Sequence, residues 1–367
     1  MTNPLNVAVI GAGLLGSRHA RVFHEQPDAR LAAVIDVDPR RAGELAGRYG
    51  AAAYASLGEA LSGTPIDAVS IATPDHLHHD LFVEALRAGK HALVEKPLAT
   101  SAAESRSMVE AAAASGRVAM VNYSQRYVAD HAWIRDRIEA GDIGAPRFVI
   151  SVKFDTLSVP TSMIASWTAR TSPIYFMSSH DLDLTHWMLK SDPVEVVARD
   201  VSGVLQGRGV DAADGLNALI RFENGASANF HTSWIHPNTY PKIADGYIQF
   251  IGSEGAIFYN NRTRTAEIFN TRGGHKVEFT GPHTADEVGG KITGAFVSSL
   301  RHFIACIRDG REPDTSARRA LPMALAQAAI LESADRPAGR AVASRCFTTK
   351  AQRHKGYKKL CVFVPLW

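Results

Sequence analysis

Three short clusters in the first hundred residues have the composition and spacing of ligand chemistry. Gly11-Ala12-Gly13-Leu14-Leu15-Gly16 follows an apolar, β-rich run from Leu5 to Ile10 and opens a helical pattern. In that setting the glycines permit a tight turn, close approach of a pyrophosphate to backbone N–H groups, and close packing of helix on strand. The anion then lies over the helix N-terminus, where N–H groups are unpaired. Asp36, 20 residues beyond Gly16, ends the next apolar run. A carboxylate there accepts hydrogen bonds from ribose hydroxyls and repels a 2′-phosphate. NAD is therefore the expected cofactor. Arg40 and Arg41 follow within one helical turn and leave NADP open.

The second cluster, Ala72-Thr73-Pro74-Asp75-His76-Leu77-His78-His79, follows the run Ala68 to Ala72. It falls on the carboxyl edge of the strands, where open α/β sheets bind ligands. His76, His78 and His79 do not share one helix face, so no metal site is expected and the segment reads as a cofactor-lining loop. The third, Val94-Glu95-Lys96-Pro97, lies on the same edge after the run His91 to Val94. Pro97 restricts the backbone before it and so fixes where Lys96 points. From spacing alone Lys96 is either catalytic or an ordinary surface lysine.

The elements that must position these residues alternate short β-rich runs with helical patterns, which implies a parallel sheet covered by helices. Helix ends are legible. Pro39 suits a first turn, Gly50 and Gly116 follow finished helices, and Ser101 with Glu104 has the form of a capping box. After Gln125 the texture changes. A linking helix over Val128 to Ala140 precedes strand-like stretches at Arg147–Phe154, Val194–Val204, Gly215–Phe222, Ala226–Ile235 and Tyr247–Tyr259, separated or interrupted by turns such as Glu223-Asn224-Gly225 and Ser253-Glu254-Gly255. Hairpins in an antiparallel or mixed sheet are expected there, followed by helices over Phe296–Arg308 and Ala317–Glu332.

The 367 residues, 46% of them hydrophobic, suffice for two domains. The net charge of +3 is misleading, because residues 345–367 carry six cations and no acid, which leaves the remainder at −3. A nucleic-acid partner would rest on that tail alone and is not expected; the tail itself reads as a disordered end. Cys306, Cys346 and Cys361 have no metal-ligand spacing, and neither a secretory leader nor a membrane-spanning run is apparent, which points to a reduced, cytoplasmic protein.

The order of GxGxxG, Asp36, Ala72-Thr73-Pro74 with His78, Glu95-Lys96-Pro97 and a β-rich second half resembles the glucose–fructose oxidoreductase and inositol dehydrogenase (Gfo/Idh/MocA) family. The resemblance covers about residues 5–340 and implies a fold of class α/β plus α+β. A doubly wound Rossmann domain would occupy residues 1–123. An open-faced mixed sheet with helices on one face would occupy 124–344 and carry substrate and oligomer contacts. It further implies an NAD(P)-dependent dehydrogenase or reductase of sugars, cyclitols or their derivatives, acting as a homodimer or homotetramer.

By the same resemblance, Glu95 and Lys96 line the cofactor and Lys96 also meets substrate. In the segment Ser172–Asp183, His180 matches the family's histidine, whereas the aspartate expected four residues earlier is Phe176. Asp183 matches a position that contacts substrate hydroxyls, with a helix-surface acid as the alternative. Trp167 resembles a tryptophan near the nicotinamide, or is core. Arg126 resembles an arginine bracing the cofactor side of the cleft, or joins the domains by a salt bridge.

Oxidising a carbinol moves a hydride to the cofactor while the hydroxyl proton goes to a base. His180, with an ordinary pKa of roughly 6.5, is the expected acid/base, and the Lys96 ammonium would steady negative charge on the oxygen. Phe176 keeps open a cofactor-binding regulator without catalysis. Redox-neutral glycoside cleavage through tightly bound NAD is a further alternative. His231, Trp234, His236 and Tyr240 are candidates for a sugar-binding surface or an interface, and the loop at His283 and Thr284 for a lid.

Overall fold

The computed structural model describes residues 3–335 and the backbone of Val342–Ala343. The tail at 345–367, with Cys346 and Cys361, lies outside the described residues.

The N-terminal part runs β1 (Leu5–Ile10), α1 (Leu14–Glu25), β2 (Ala29–Ile35), α2 (Pro39–Tyr49), β3 (Ala52–Tyr54), α3 (Leu57–Gly63), β4 (Ala68–Ile71), α4 (His78–Arg87), β5 (His91–Val94), α5 (Ala102–Ser115) and β6 (Ala119–Val121). Its strands pair in parallel in the order β3-β2-β1-β4-β5-β6. Two helical layers bury both faces of this sheet, so the strands are mainly apolar rather than alternating. Val7, Ala8 and Val9 are wholly inaccessible, as are Ala92, Leu93 and Val94.

Local capping sets the helix ends. The Asp38 carboxylate accepts from the N–H groups of Arg40 and Arg41 with Pro39 in the first turn, and Gly50 closes α2 at φ 67°. Ser101 caps α5 through the Glu104 N–H, but the Glu104 carboxylate meets the Thr100 hydroxyl at 3.5 Å, so only half of the expected box forms.

The second part comprises α6 (Ala129–Glu139), β7 (Pro146–Thr156), α7 (Pro173–Phe176), α8 (Ser179–Leu189), β8 (Pro193–Val201), β9 (Gly215–Phe222), β10 (Ser227–His236), β11 (Ala244–Gly252), β12 (Gly255–Asn260), β13 (Thr265–Asn270) and β14 (Gly273–Glu278). A hairpin of β15 (Asp286–Val288) and β16 (Lys291–Thr293), then α9 (Ala295–Asp309), α10 (Ala317–Ala334) and β17 (Val342–Ala343) follow. The large sheet has the order β14-β13-β12-β11-β7-β10-β9-β8-β17, and only β7 and β10 run parallel. The turn expected within the stretch from Tyr247 to Tyr259 falls at Ser253-Glu254 and divides it into β11 and β12.

One face of this sheet is covered and the other open. In β9, Leu216, Ala218, Ile220 and Phe222 are buried against the side that carries α6, α8 and α10, while Asn217, Leu219 and Arg221 point outward. The last two helices also reach the first sheet. Phe296, Leu300 and Phe303 of α9 pack with Val7, Val9 and Phe23, and Ala317, Ala320 and Ala324 of α10 with Met108, Val121 and Tyr123.

Candidate active site

The glycine loop leaves β1 under backbone control. Gly11 has φ 95°, and a Cβ there would stand 2.5 Å from the Ala72 carbonyl oxygen; a Cβ on Gly16 would stand 1.7 Å from the Gly11 oxygen. Gly13, by contrast, faces open space, with no atom within 4 Å of a Cβ position. It caps α1 without a side chain, so the N–H groups of Leu14 and Leu15 at the first turn have no side-chain acceptor from the cap. The buried Thr73 hydroxyl beside Pro74 likewise has no partner.

Asp36 accepts from the Ala12 N–H at 2.7 Å and the Asp38 N–H at 2.9 Å, which fixes the carboxylate beside the loop. Arg40 is drawn along α2 to Glu44 at 2.9 Å, and Arg41 lies 3.4 Å from Asp38. An open helix N-terminus, an anchored carboxylate and two arginines already paired with acids fit NAD, with its free 2′-hydroxyl.

Glu95 and Lys96 diverge at the end of β5. Glu95 turns inward, its Oε1 meeting His19 Nε2 at 2.9 Å and Asn122 Nδ2 at 2.6 Å, while His19 Nδ1 meets Ser70 at 2.7 Å. The carboxyl group is held below its ordinary value by His19, Lys96 and Asn122, which outweigh its burial. Its side chain thus braces β4, β5, β6 and α1 from beneath. His78 is also buried, with Nδ1 2.8 Å from the Pro97 oxygen and Nε2 3.2 Å from the Thr73 oxygen, and burial lowers its pKa. It ties together the two loops that carry Thr73 and Lys96.

Lys96 crosses to the second part of the chain. Its Nζ donates to the Phe176 carbonyl oxygen at 2.6 Å and lies 4.6 Å from the centre of that residue's ring. Burial lowers its pKa, while Glu95, Asp75 and Asp155 oppose the shift. The Phe176 ring itself packs with Trp167 and Trp234 at centroid distances of 5.8 and 6.4 Å, in an apolar cluster with Val159, Ile164 and Leu205. Trp167 is therefore at once core and cleft wall, for its other neighbour is His76 on the cofactor-side loop, at 6.3 Å.

His180 stands in the first turn of α8, half-buried and edge-on to Tyr123 at 6.3 Å, with a buried Nδ1 that has no partner. The expectation that it titrates near neutrality is overturned: burial, with the charges of Lys96 and Lys153, holds its pKa well below 6.5. At neutral pH the ring is uncharged. Asp183, one turn on, gives both oxygens to Arg126, at 2.7 Å to Nε and 2.6 Å to Nη2. Arg126 Nη1 also donates to the Asp314 carbonyl oxygen at 3.2 Å, so the pair forms a salt bridge that ties the segment after β6 to α8.

Several charged residues near Lys96 and His180 went unnoticed in the sequence. Asp75 is buried and accepts from the Thr171 hydroxyl, a second link across the cleft. Lys153 and Asp155 occupy one face of β7, with Lys153 Nζ 3.9 Å from Asp181 of α8. Their signal was available: two charges two residues apart in the otherwise uncharged Val149–Thr156.

Of the four candidates for a sugar-binding surface, Trp234 packs against Phe176 at the end of the Lys96 side chain. Trp234 is fully buried and donates to the Ala213 oxygen at 2.7 Å, while His231 bonds Asn217, His236 stacks on Phe154 at 4.3 Å and Tyr240 bonds Asp245. The segment after His283 forms a hairpin that lies on α1, where Arg21 meets Glu287 at 2.9 Å. Among the described residues, no three His, Cys, Asp or Glu side chains are grouped as metal ligands.

A parallel sheet with an open, glycine-lined helix N-terminus, joined to a mixed sheet that brings His180 to Lys96, defines an NAD-binding oxidoreductase. Residues 5–123 match the model of an oxidoreductase family with an NAD-binding Rossmann fold, and residues 131–258 match the same family's C-terminal domain. The chain belongs to the Gfo/Idh/MocA family.

Among its relatives, inositol 2-dehydrogenase of Rhizobium meliloti (strain 1021) is 29% identical over 89% of this chain and 96% of that protein. The scyllo-inositol 2-dehydrogenase (NAD(+)) of Bacillus subtilis (strain 168) is 28% identical over 85% and 89%. The fold is shared with an Agrobacterium radiobacter oxidoreductase solved in complex with NAD+, L-tartaric acid and magnesium, at a TM-score of 0.82 and 21% identity over 93% of this chain and 98% of that one. No described helix is long and apolar enough to cross a membrane.

Proposed function

We propose that this enzyme moves a hydride between NAD and the hydroxyl or carbonyl carbon of a sugar, cyclitol or sugar derivative, with His180 as acid/base and Lys96 at the substrate oxygen. The observation that carries this reading is the Lys96–Phe176 bond, which brings an ammonium from the cofactor sheet to the carbonyl four residues before His180, where its charge acts on the ring. NAD held on the Gly11–Gly16 loop and Asp36 would supply the hydride acceptor for the carbinol carbon. Lys96 uses one N–H on the Phe176 carbonyl and has two left for the substrate oxygen. His180, neutral at working pH, accepts the hydroxyl proton as the carbonyl forms and passes it to solvent. In the reverse direction the same proton returns to the oxygen.

In this reading Gly11, Gly13, Leu14, Leu15 and Gly16 cradle the pyrophosphate, Asp36 holds the ribose, Thr73 and Pro74 line the cofactor, and Trp167 walls the substrate side. Glu95, His78, Arg126 and Asp183 shape the site from behind it. Residues 1–123 form the cofactor unit and 124 onward the substrate unit, with α9 and α10 buttressing both. A cytoplasmic location is part of the same reading, with Cys306 buried as a free thiol.

The test is to screen inositols, free sugars, anhydrosugars and sugar acids with NAD and NADP, following absorbance of the reduced cofactor. Turnover with NAD on a polyol is expected. No turnover with any of them, alongside intact NAD binding, would favour the regulator.

The open sheet face supports a homo-oligomer as well. Phe148, Leu219, Tyr247 and Phe269 are exposed on it, on four different strands. Light scattering is expected to give a dimer or tetramer, and Phe148→Lys with Leu219→Lys to shift it toward monomer.

A further inference from the structure

Lys96 is an ammonium set between two sheets, and a buried cation requires a carboxylate in its surroundings. The residue it touches offers none, because Phe176 presents only a carbonyl and a ring. Three carboxylates act on Lys96: Glu95, Asp75 and Asp155. Glu95 is committed to His19 and Asn122. Asp75 is committed to the Thr171 hydroxyl, with His76 3.9 Å from its other oxygen. Asp155 is 5% exposed, and its side chain makes neither a hydrogen bond nor an ion pair with any described residue.

The sheet register shows where Asp155 stands. Lys153 pairs with Thr232 of β10, and the Thr232 hydroxyl bonds Ser178, which immediately precedes α8. That bond seats the first turn of α8, with His180 and Asp181, over the segment of β7 that carries Lys153 and Asp155 on one face. The charged groups acting on Asp155 are Lys153 on its own strand, Lys96 from the loop after β5, and Asp181 on α8, itself 3.9 Å from Lys153. On the adjoining strands its direct partner is Ala244 of β11, and on β10 it lies beside the irregular step between Ser233 and His236.

We infer that Asp155 is the counter-charge of Lys96, a positioning residue that keeps the lysine an ammonium and holds it toward the substrate oxygen. It acts through Lys96 and takes no proton from substrate. Burial raises its own pKa to about 6, against the pull of Lys153 and Lys96, so the counter-charge is present at neutral pH and lost in mild acid. The inference rests on the dehydrogenase reading for its purpose but not for its test.

In NAD-loaded protein carrying isotope-labelled lysine, the Lys96 side-chain resonance, identified by its loss in Lys96→Arg, is followed by NMR against pH. The wild type is expected to show an inflection near pH 6 as Asp155 ionises. In Asp155→Asn that inflection disappears and the Lys96 midpoint falls by about one unit or more. Asp155→Glu restores most of it. For a substrate that is turned over, Asp155→Asn also moves the alkaline limb of carbonyl reduction downward by the same amount, with the loss mainly in kcat. A wild-type Lys96 resonance with no inflection near 6, or an unchanged midpoint in folded Asp155→Asn, overturns the inference. If no polyol reacts, the dehydrogenase reading fails while the NMR titration still decides this one.

Discussion

Arg126 holds Asp183 through two parallel bonds, Nε to Oδ2 at 2.7 Å and Nη2 to Oδ1 at 2.6 Å, and so fastens the segment after β6 to α8. Both side chains are nearly inaccessible, and the guanidinium lies 5.4 Å from the Trp187 ring. Removing one partner of a buried pair strands the other charge, at a cost of about 3–5 kcal/mol. Arg126→Ala is therefore expected to lower the urea midpoint sharply while NAD affinity changes little. A large loss of NAD affinity at unchanged stability would instead return Arg126 to the cofactor.

This pair shows where the sequence stopped being legible. The glycine loop, Asp36, the helix caps and the strand before Lys96 are local patterns, decided by residues within a few positions of one another. Arg126 and Asp183 are far apart in the chain, and nothing in either neighbourhood names the other. Asp155 was missed for a smaller reason: the strand was read as ending at Phe154, whereas β7 runs to Thr156. The strands β13 and β14 escaped because Thr265–Glu278 is rich in polar residues, whose pattern reads as loop until β12 pairs with it.

Lys96→Met removes the ammonium and its bond to Phe176 but leaves Gly11–Gly16 and Asp36 untouched. NAD titration by fluorescence is expected to give nearly the wild-type affinity, while turnover falls below detection. Retention of more than a tenth of wild-type kcat would exclude Lys96 from the reaction.

His180→Ala is expected to lower kcat on the order of 10²- to 10⁴-fold, the usual range for loss of a general acid/base. Its ring is neutral through the physiological range, so the wild-type rate should show no limb from His180 at 6.5, its ordinary value. A limb at that pH that persists in Asp155→Asn and vanishes in His180→Ala would contradict the electrostatics of the site.

His131 sits buried on α6, with Nδ1 3.0 Å from the Gln125 oxygen, and burial drops its pKa to about 4. The unfolded chain takes up this proton below roughly 6.5, and the folded chain only near 4. Its contribution is thus full above 6.5 and is lost as pH falls toward 4, by about 3 kcal/mol in all. His78 and His180 shift in the same direction. Urea unfolding at pH 7.5 and pH 5 should show lower stability in acid, and a His131→Gln variant that still folds should show a shallower slope.

Asp155 works in the opposite sense. Its carboxyl group keeps its proton to about 6 in the folded chain, against 3.8 for an ordinary aspartate, so the folded state binds more protons between those values. Stability contributed by this site falls as pH rises through that window, by roughly 3 kcal/mol at neutral pH. Asp155→Asn removes a charge that folding must bury and keeps the shape of the side chain. The variant is expected to melt higher than wild type at pH 7.5 and at nearly the same temperature at pH 4, while its activity falls. A variant destabilised at pH 7.5 would contradict the raised pKa of Asp155. Greater stability with less activity is what a charge retained for chemistry predicts.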